Sequence, residues 1–273
     1  MNEKSMKALL DTDFLFKAHL SQNNERNPLV DRVMDFSGYE FYCHEKIMEE
    51  LGTHGFDPDP LPWLKEQIDS GKIKKYSDED IINELATLFG KYAHESYYDF
   101  LKAGCDAFDP SFFETYYRRI TDLPNDVEAA EFLDTLRSCD AEIPNGSSMG
   151  EKKSFVLAQT MQMKHPGTGV VFCSDDSRAR QRLTYVGGGL RGFSILAAFQ
   201  KMMKDGVEKS VAKQYYDSLC SFYSLRDQKS MKVWKYSTSE RISVDFEKIF
   251  EDIYAGKFEI KLTGDLRYNC DRE

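Results

Sequence analysis

"GVVFCSDDSRARQRL", residues 169 to 183, runs an apolar stretch straight into two adjacent aspartates and then a segment with arginines at alternate positions. The apolar run reads as a strand that ends at the acids. Carboxylates side by side repel and raise each other's pKa, so something must offset that cost. Either Asp175 and Asp176 are solvated in a turn, or they face a cation.

The same design recurs at the start of the chain. "KALLD", residues 7 to 11, reads as a short buried strand running into the acids of "LLDTDFL". Pro28 opens a helix whose apolar positions Leu29, Val30, Val33 and Met34 recur at helical spacing, and Gly38 ends it. Next come "YEFYC" as a strand and "HEKIMEEL" as a helix closed by Gly52. Strand, helix, strand, helix in that order predicts a parallel sheet in an α/β fold.

From Thr53 to about Ala141 the pattern changes. A helix, "LPWLKEQIDSG", and a strand, "KIKKYS", precede three segments of helical period rich in Tyr and Phe, which read as a long helical insertion. "GEKKSFVLAQTMQM" resumes the core as a helix, and after the strand "GVVFCS" the segment "RGFSILAAFQKMMKDG" reads as an amphipathic helix with a glycine cap. The tail adds a helix at "AKQYYDSLCSFY", then "MKVWKYS" and "KFEIKL" as strands flanking the helical "VDFEKIFEDIYAG". The expected organisation is a core over residues 1–206, interrupted at about 53–141, and an α+β extension over 207–273.

The bulk numbers bound the class. A chain of 273 residues with 41% hydrophobic and 30% charged residues can bury a sizeable core as a globular protein. No apolar stretch approaches the roughly 20 residues that span a bilayer, and the apolar run near the start is too short for a signal peptide. The expected location is the cytoplasm, with no membrane partner. The six cysteines, Cys43, Cys105, Cys139, Cys173, Cys220 and Cys270, lie far apart without a CxxC pair, which argues against a zinc knuckle or a disulfide framework. A net charge of -10 disfavours non-specific nucleic-acid binding over the whole surface. Between Lys164 and Lys213, however, nine Lys or Arg stand against four acids, enough for a locally basic wall or simply a solvated helix face.

Four acidic positions stand out, each with two readings. Asp11 ends the first strand, where open parallel sheets place their ligand crevice, or it caps the next helix. Glu50 borders the apolar face of its helix, seven positions after Cys43 and three after Ile47, whereas Glu49 falls on the polar side. Glu151 either closes a capping box with Ser148 or, with Phe155 and Ala158 at i+4 and i+7, leans onto the buried stripe. Asp175 and Asp176 end the later strand, on the same sheet edge as Asp11 if the sheet is parallel. Acids gathered there form an anionic pocket that a hard cation such as Mg²⁺ or Mn²⁺ would make tolerable.

Taken together, "LLDTDFL", "IMEELG", "GEKKSFVLAQ" and "FCSDDSRAR", in that order, resemble the PIN-domain metal-dependent ribonucleases. The resemblance covers residues 7 to 52 and about 146 to 206, leaving the insertion and the tail outside. It implies a three-layer α/β/α core with Asp11, Glu50, Glu151 and Asp176 as the catalytic, metal-holding quartet and Asp175 flanking it on the metal. It also implies that Thr12 orients the first acid, with Asp13 beside it where a neutral polar residue is more usual. The implied activity is hydrolysis of RNA, single-stranded or structured, with Mg²⁺ or Mn²⁺ as cofactor. Arg178, Arg180 and Arg191 are the expected phosphate contacts, although Arg180, four residues after Asp176, could equally pair with that acid. A protein inhibitor or antitoxin, as toxin-like members have, is the expected protein partner, and a homo-oligomer is left open.

Two rivals stand beside this reading. "DTDFL" with the later "VVFCSDD" superficially resembles haloacid-dehalogenase-type phosphatases, which would leave Glu50 and Glu151 idle. A PIN-like RNA-binding scaffold without activity would leave the acids partly vestigial.

Overall fold

The computed structural model describes residues 5–124, 127–236 and 238–270; the outermost residues assigned to the core and to the extension, 1–4 and 271–273, lie outside them. The chain begins β1 (Met6–Leu10), α1 (Thr12–Leu20), α2 (Leu29–Met34), β2 (Tyr39–His44), α3 (Glu45–His54), α4 (Leu61–Asp69) and β3 (Ile73–Tyr76). Five helices follow: α5 (Asp78–Phe89), α6 (Ala93–Phe108), α7 (Phe112–Tyr116), α8 (Arg118–Thr121) and α9 (Ala129–Asp140). Then come α10 (Met149–Lys164), β4 (Val170–Cys173), α11 (Ser177–Val186), β5 (Arg191–Phe193) and α12 (Ile195–Lys204). The chain continues with α13 (Lys209–Ser224), β6 (Ser230–Trp234), β7 (Arg241–Asp245), α14 (Phe246–Tyr254), β8 (Phe258–Ile260) and β9 (Leu266–Tyr268).

The first five strands form one parallel sheet in the order β3-β2-β1-β4-β5. Successive residues of a strand point to opposite faces, and here both faces are buried. Ala8, Leu10, Phe41, Cys43, Val171 and Cys173 enter one apolar core; Leu9, Tyr42, Val170 and Phe172 enter the other. Burial on both sides is why "ALL" and "VVFC" read as unbroken apolar runs. Helices α1 to α4 and α12 to α14 supply the first core, while α5 to α11 supply the second, so the core is a three-layer α/β/α arrangement.

Boundaries differ from the sequence reading at several places, among them α2, which ends at Met34 short of Gly38, and β7, whose last residues Val244 and Asp245 head the expected helix. The segment read as an insertion is built into the core: β3 is the edge strand beside β2, and α5 to α9 complete the second layer around α10. "RGF" at the head of the expected amphipathic helix is instead strand β5, three residues long. Helix α3 runs past Gly52 to His54 and ends at Gly55, whose φ of 61° suits the left-handed cap.

The C-terminal segment shares the first apolar core rather than forming one of its own. Its strands make a second sheet, β7-β6-β9-β8, and its loop 261–265 covers the outer edge of β5, where Gly192 N donates to Leu262 O at 2.7 Å. A Cβ at Gly192 would lie 2.2 Å from Thr263 O, so only glycine admits that loop. The covered edge cannot template further strand pairing.

Candidate functional site

Connections leave β1 toward β2 and β3 on one side, then return to β4 and β5 on the other. In open parallel sheets the crevice at such a reversal, outside the carboxyl ends of the strands, is where ligands bind. Here the reversal falls between β1 and β4, which end at Asp11 and Ser174 and are joined there by Asp11 N donating to Cys173 O at 3.0 Å.

Asp11 occupies the N-cap position of α1, yet its carboxyl makes no capping hydrogen bond, which removes the capping alternative. The residue is 2% exposed. Burial, and then the charges of Glu151, Asp13 and Glu50, push its carboxyl well above the usual carboxylate range, with Ser174 hydrogen bonding working the other way. Glu50 reaches in from α3: its Oε2 accepts from Thr12 Oγ1 and its Oε1 from Gly150 N, both at 2.8 Å. Thr12 therefore orients Glu50, not Asp11 as expected. At Gly150 a Cβ would lie 2.4 Å from Glu50 Oε2 and 2.7 Å from Ile47 Cδ1, so glycine is what lets the glutamate approach α10.

Glu151 stands in the first turn of α10. Ser148 before it has φ 54° and makes no side-chain cap, so there is no capping box and the inward-leaning reading holds. Burial, then the Glu50 carboxylate, raises Glu151 from 4.5 to about 7. Asp176 caps α11 through Oδ1, which accepts from Arg178 N at 2.7 Å and Ala179 N at 3.3 Å. Asp11, Glu151 and Asp176 thus each sit at a helix N-terminus, whose partial positive charge offsets a little of their repulsion.

The flanking residues are placed differently from expectation. Asp175 is committed elsewhere: Oδ2 accepts from Lys17 Nζ at 2.7 Å and Tyr223 Oη at 2.9 Å, and Oδ1 from Ile195 N at 3.3 Å. Its charge is therefore compensated within the chain by Lys17, whereas those of Asp11 and Glu151 face other carboxylates. Asp13 pairs with Lys17 at 2.8 Å. Burial then Asp175 and Asp13 act on Lys17 in opposite senses, and the two acids win, holding its ammonium above the usual lysine range.

Of the arginines, Arg178 and Arg182 lie four residues apart on the exposed face of α11, and Arg182 stacks over Phe108 with 5.4 Å to the ring centroid. Arg180 points the other way and is 2% exposed, bonded to Asp265, Thr263 O and Ser174 O. It neither reaches a phosphate nor pairs with Asp176. Arg191 begins β5 level with Val171, two residues short of the acid edge, and acts on Tyr39 at the amino end of β2. Its charge thus bears on the amino end of the sheet.

A second polar cluster escaped the sequence reading. Lys153 on α10 is fully buried and pairs with Asp78 and Asp140, each at 2.9 Å. Asp78 also bonds His44 Nε2 at 3.1 Å and Tyr97 Oη, and Asp140 accepts from Tyr117 Oη at 2.5 Å. His44 is thus an internal partner whose Nδ1 also caps α3 by accepting from Lys46 N. The cluster floors a cleft of about 520 Å³ walled by Lys46, Glu49, Lys75, Asp80 and Arg137. None of the four acids lines this cleft; α3 and α10 carry parts of both.

The donor set fits a hard divalent cation by chemistry: oxygen ligands, a buried Asp11, and carboxylates that raise one another's pKa. The spacing is that of a loose acidic cluster. Among the described residues, no three His, Cys, Asp or Glu side chains are gathered tightly enough to hold one ion as they stand. Comparison with protein-family models, with curated proteins and with solved structures finds no match. Among the described residues no helix is long and apolar enough to cross a membrane.

The Glu151 shift has a measurable sign. A carboxyl whose folded pKa is raised binds its proton more tightly in the folded chain, so its penalty is absent below pH 4.5 and complete above pH 7. The shift corresponds to on the order of 3 kcal/mol. Without metal, Glu151→Gln is expected to melt with the parent at pH 4 and roughly 5 °C above it at pH 8. Coincident melting of the two proteins at both pH values would remove the buried charge from Glu151.

Proposed function

We propose that the chain is a divalent-metal-dependent phosphodiester hydrolase that cuts RNA, with Asp11, Glu50, Glu151 and Asp176 as its acids. The observation that carries this reading is the placement of these four side chains at the β1/β4 reversal, where Asp11 is buried against the charge of Glu151 and a half-buried Glu151 meets the charges of Glu50 and Asp176. Mg²⁺ or Mn²⁺ held there would polarise a phosphate and acidify the attacking water. The chain's own residues do the rest. Thr12 and Gly150 N fix both oxygens of Glu50, the α11 cap fixes Asp176, and Glu151 holds a proton near neutral pH that it releases as positive charge approaches. Arg178 and Arg182, exposed on the helix that Asp176 begins, are the side chains placed to attract a phosphate backbone. The PIN-domain resemblance supplies the substrate class; a location in the cytoplasm and an antitoxin-like inhibitor belong to the same proposal.

Incubating the protein with labelled RNA and DNA oligonucleotides, in Mn²⁺ or in EDTA, tests the reading. Internal cleavage of RNA that EDTA abolishes is the expected result; metal-independent cleavage, or none in Mn²⁺, overturns it. A narrower expectation follows from Gly150. Gly150→Ala should push the Glu50 carboxylate aside and weaken Mn²⁺ binding about 10–100-fold, as displacement of a ligand's support does. Melting should fall by only a few degrees, because the crowding of the buried Ile47 Cδ1 is partly offset by the helix preference of alanine. Calorimetric titration giving the parental Mn²⁺ affinity would show that Glu50 is not a ligand.

A further inference from the structure

Lys17 lies one turn along α1 from Asp13, its side chain 15% exposed. Its ammonium sits between two carboxylates, 2.8 Å from Asp13 and 2.7 Å from Asp175. Among the described residues those are its hydrogen-bond acceptors. The Asp13–Asp175 pair adjoins the metal-holding acids directly: Asp13 acts on Asp11 and on Asp176, and Asp175 is next to Asp176 in the chain. The acidic edge therefore has two neighbouring anionic halves. One, around Asp11, Glu50 and Glu151, has carboxylates burdened by one another; the other already encloses a positive charge.

Two-metal phosphodiesterases hold their ions roughly 3.5–4 Å apart, so that one neutralises the attacking and the other the leaving oxygen. A second ion here would draw on Asp13 and Asp175, the acids beside Asp11 and Asp176. That position is filled from within the chain. Asp175 is fixed from three sides, by Lys17, by Tyr223 from α13 and by Ile195 N at the start of α12, so the ion pair is built into the packing of the C-terminal helices.

We propose that the Lys17 ammonium takes the place of a second metal ion, so that the acidic edge binds one divalent cation and not two. This rests on the metal-dependent reading above. A lysine is a compact point charge with three donors, able to serve as the fixed second cation of the site. Removing it leaves Asp13 and Asp175 uncompensated side by side, a pair that a hard divalent ion satisfies.

Mn²⁺ titration of the full chain by calorimetry, with free Mn²⁺ followed by electron paramagnetic resonance, tests the inference without any activity assay. The parent and Lys17→Arg should bind one ion each, and Lys17→Met two, the second disappearing when Asp13→Asn is added. Two ions on the parent, or a single ion on Lys17→Met, overturn the inference and leave the hydrolase reading standing. Failure of the parent to bind any Mn²⁺ removes both. Should Lys17→Met not fold, because it strands the half-buried Asp175, Asp13→Asn alone decides. The Asp13 side chain is 40% exposed, and its loss should leave the count at one and the affinity within about twofold. A lost ion, or affinity tenfold weaker, makes Asp13 a ligand and overturns the inference.

Discussion

Asp11→Asn is expected to lower RNA cleavage by about 10²–10³-fold, the range seen when one preorganised electrostatic group is removed from a reacting centre. Asparagine keeps the shape and one carbonyl oxygen but loses the charge that a divalent ion needs. Fold stability should move the other way. Asp11 is 2% exposed and its carboxyl is raised by burial and by three neighbouring acids, so in the metal-free chain its charge is a liability. The neutral variant should therefore melt at or above the parental temperature at pH 8 without metal. Adding Mn²⁺ should then raise the parent's melting temperature and leave the variant's almost unchanged, because only a form that binds the ion is stabilised by it. Asparagine can still hydrogen-bond, so any gain is smaller than for a group left wholly unpartnered. A variant that cleaves RNA at the parental rate, or one that melts several degrees lower without metal, would make Asp11 a structural residue and take the hydrolase reading with it.

What was legible in the sequence follows what acts locally. β1, β2 and β4 announce themselves because both of their faces are buried, and their ends carry Asp11 and Asp176 to one edge once the sheet is parallel. Glu50 and Glu151 were legible from helical phase, since Ile47 and Phe155 fix which way each helix faces. The alternatives left open at Asp11 and Glu151 were closed by backbone detail: an N-cap without a side-chain bond, and a left-handed Ser148. β5 was missed because three residues with a central glycine have no period to read, and the strand exists through pairing with β4 and cover from loop 261–265. The partners of Arg180, Asp175 and Lys153 were equally hidden. Asp265 lies 85 positions from Arg180 and Asp78 lies 75 from Lys153, distances over which charge pattern carries no information. Alternate spacing keeps Arg178, Arg180 and Arg182 from sharing one helix face; only the fold says that Arg180 meets an acid from the C-terminal segment.

Lys153→Met should destabilise the protein by about 3–5 kcal/mol, the cost of breaking a buried ion pair from one side. Methionine nearly matches lysine in length, so the loss does not come from a cavity. It comes from Asp78 and Asp140, which the change leaves buried with no ammonium between them. Burial works against the charge of Asp78, and Lys153 with His44 outweighs it, holding that carboxyl well below the usual range. A depressed carboxyl contributes stability above the unfolded pKa near 3.8 and loses it only as the pH falls further. The penalty of Lys153→Met is therefore expected across the neutral range and should shrink as the pH falls toward 4, because the stranded, buried acids protonate above the usual carboxylate range. Adding Asp78→Asn and Asp140→Asn to the same chain should recover part of the loss at pH 7, because neutral amides can still accept from Tyr97 and Tyr117. Denaturant unfolding of the three proteins at pH 7 and pH 4 measures these differences. A loss under 1 kcal/mol for Lys153→Met would mean that water enters the cleft and solvates both acids. A large loss with no recovery in the triple variant would assign the effect to packing of the lysine stem. The functional consequence lies two residues away: Lys153 ties α10 to α5 and α9, and α10 carries Glu151 and Gly150 to the acidic edge. Conditions that loosen the Lys153 cluster while the chain stays folded should therefore weaken Mn²⁺ binding before they unfold the sheet.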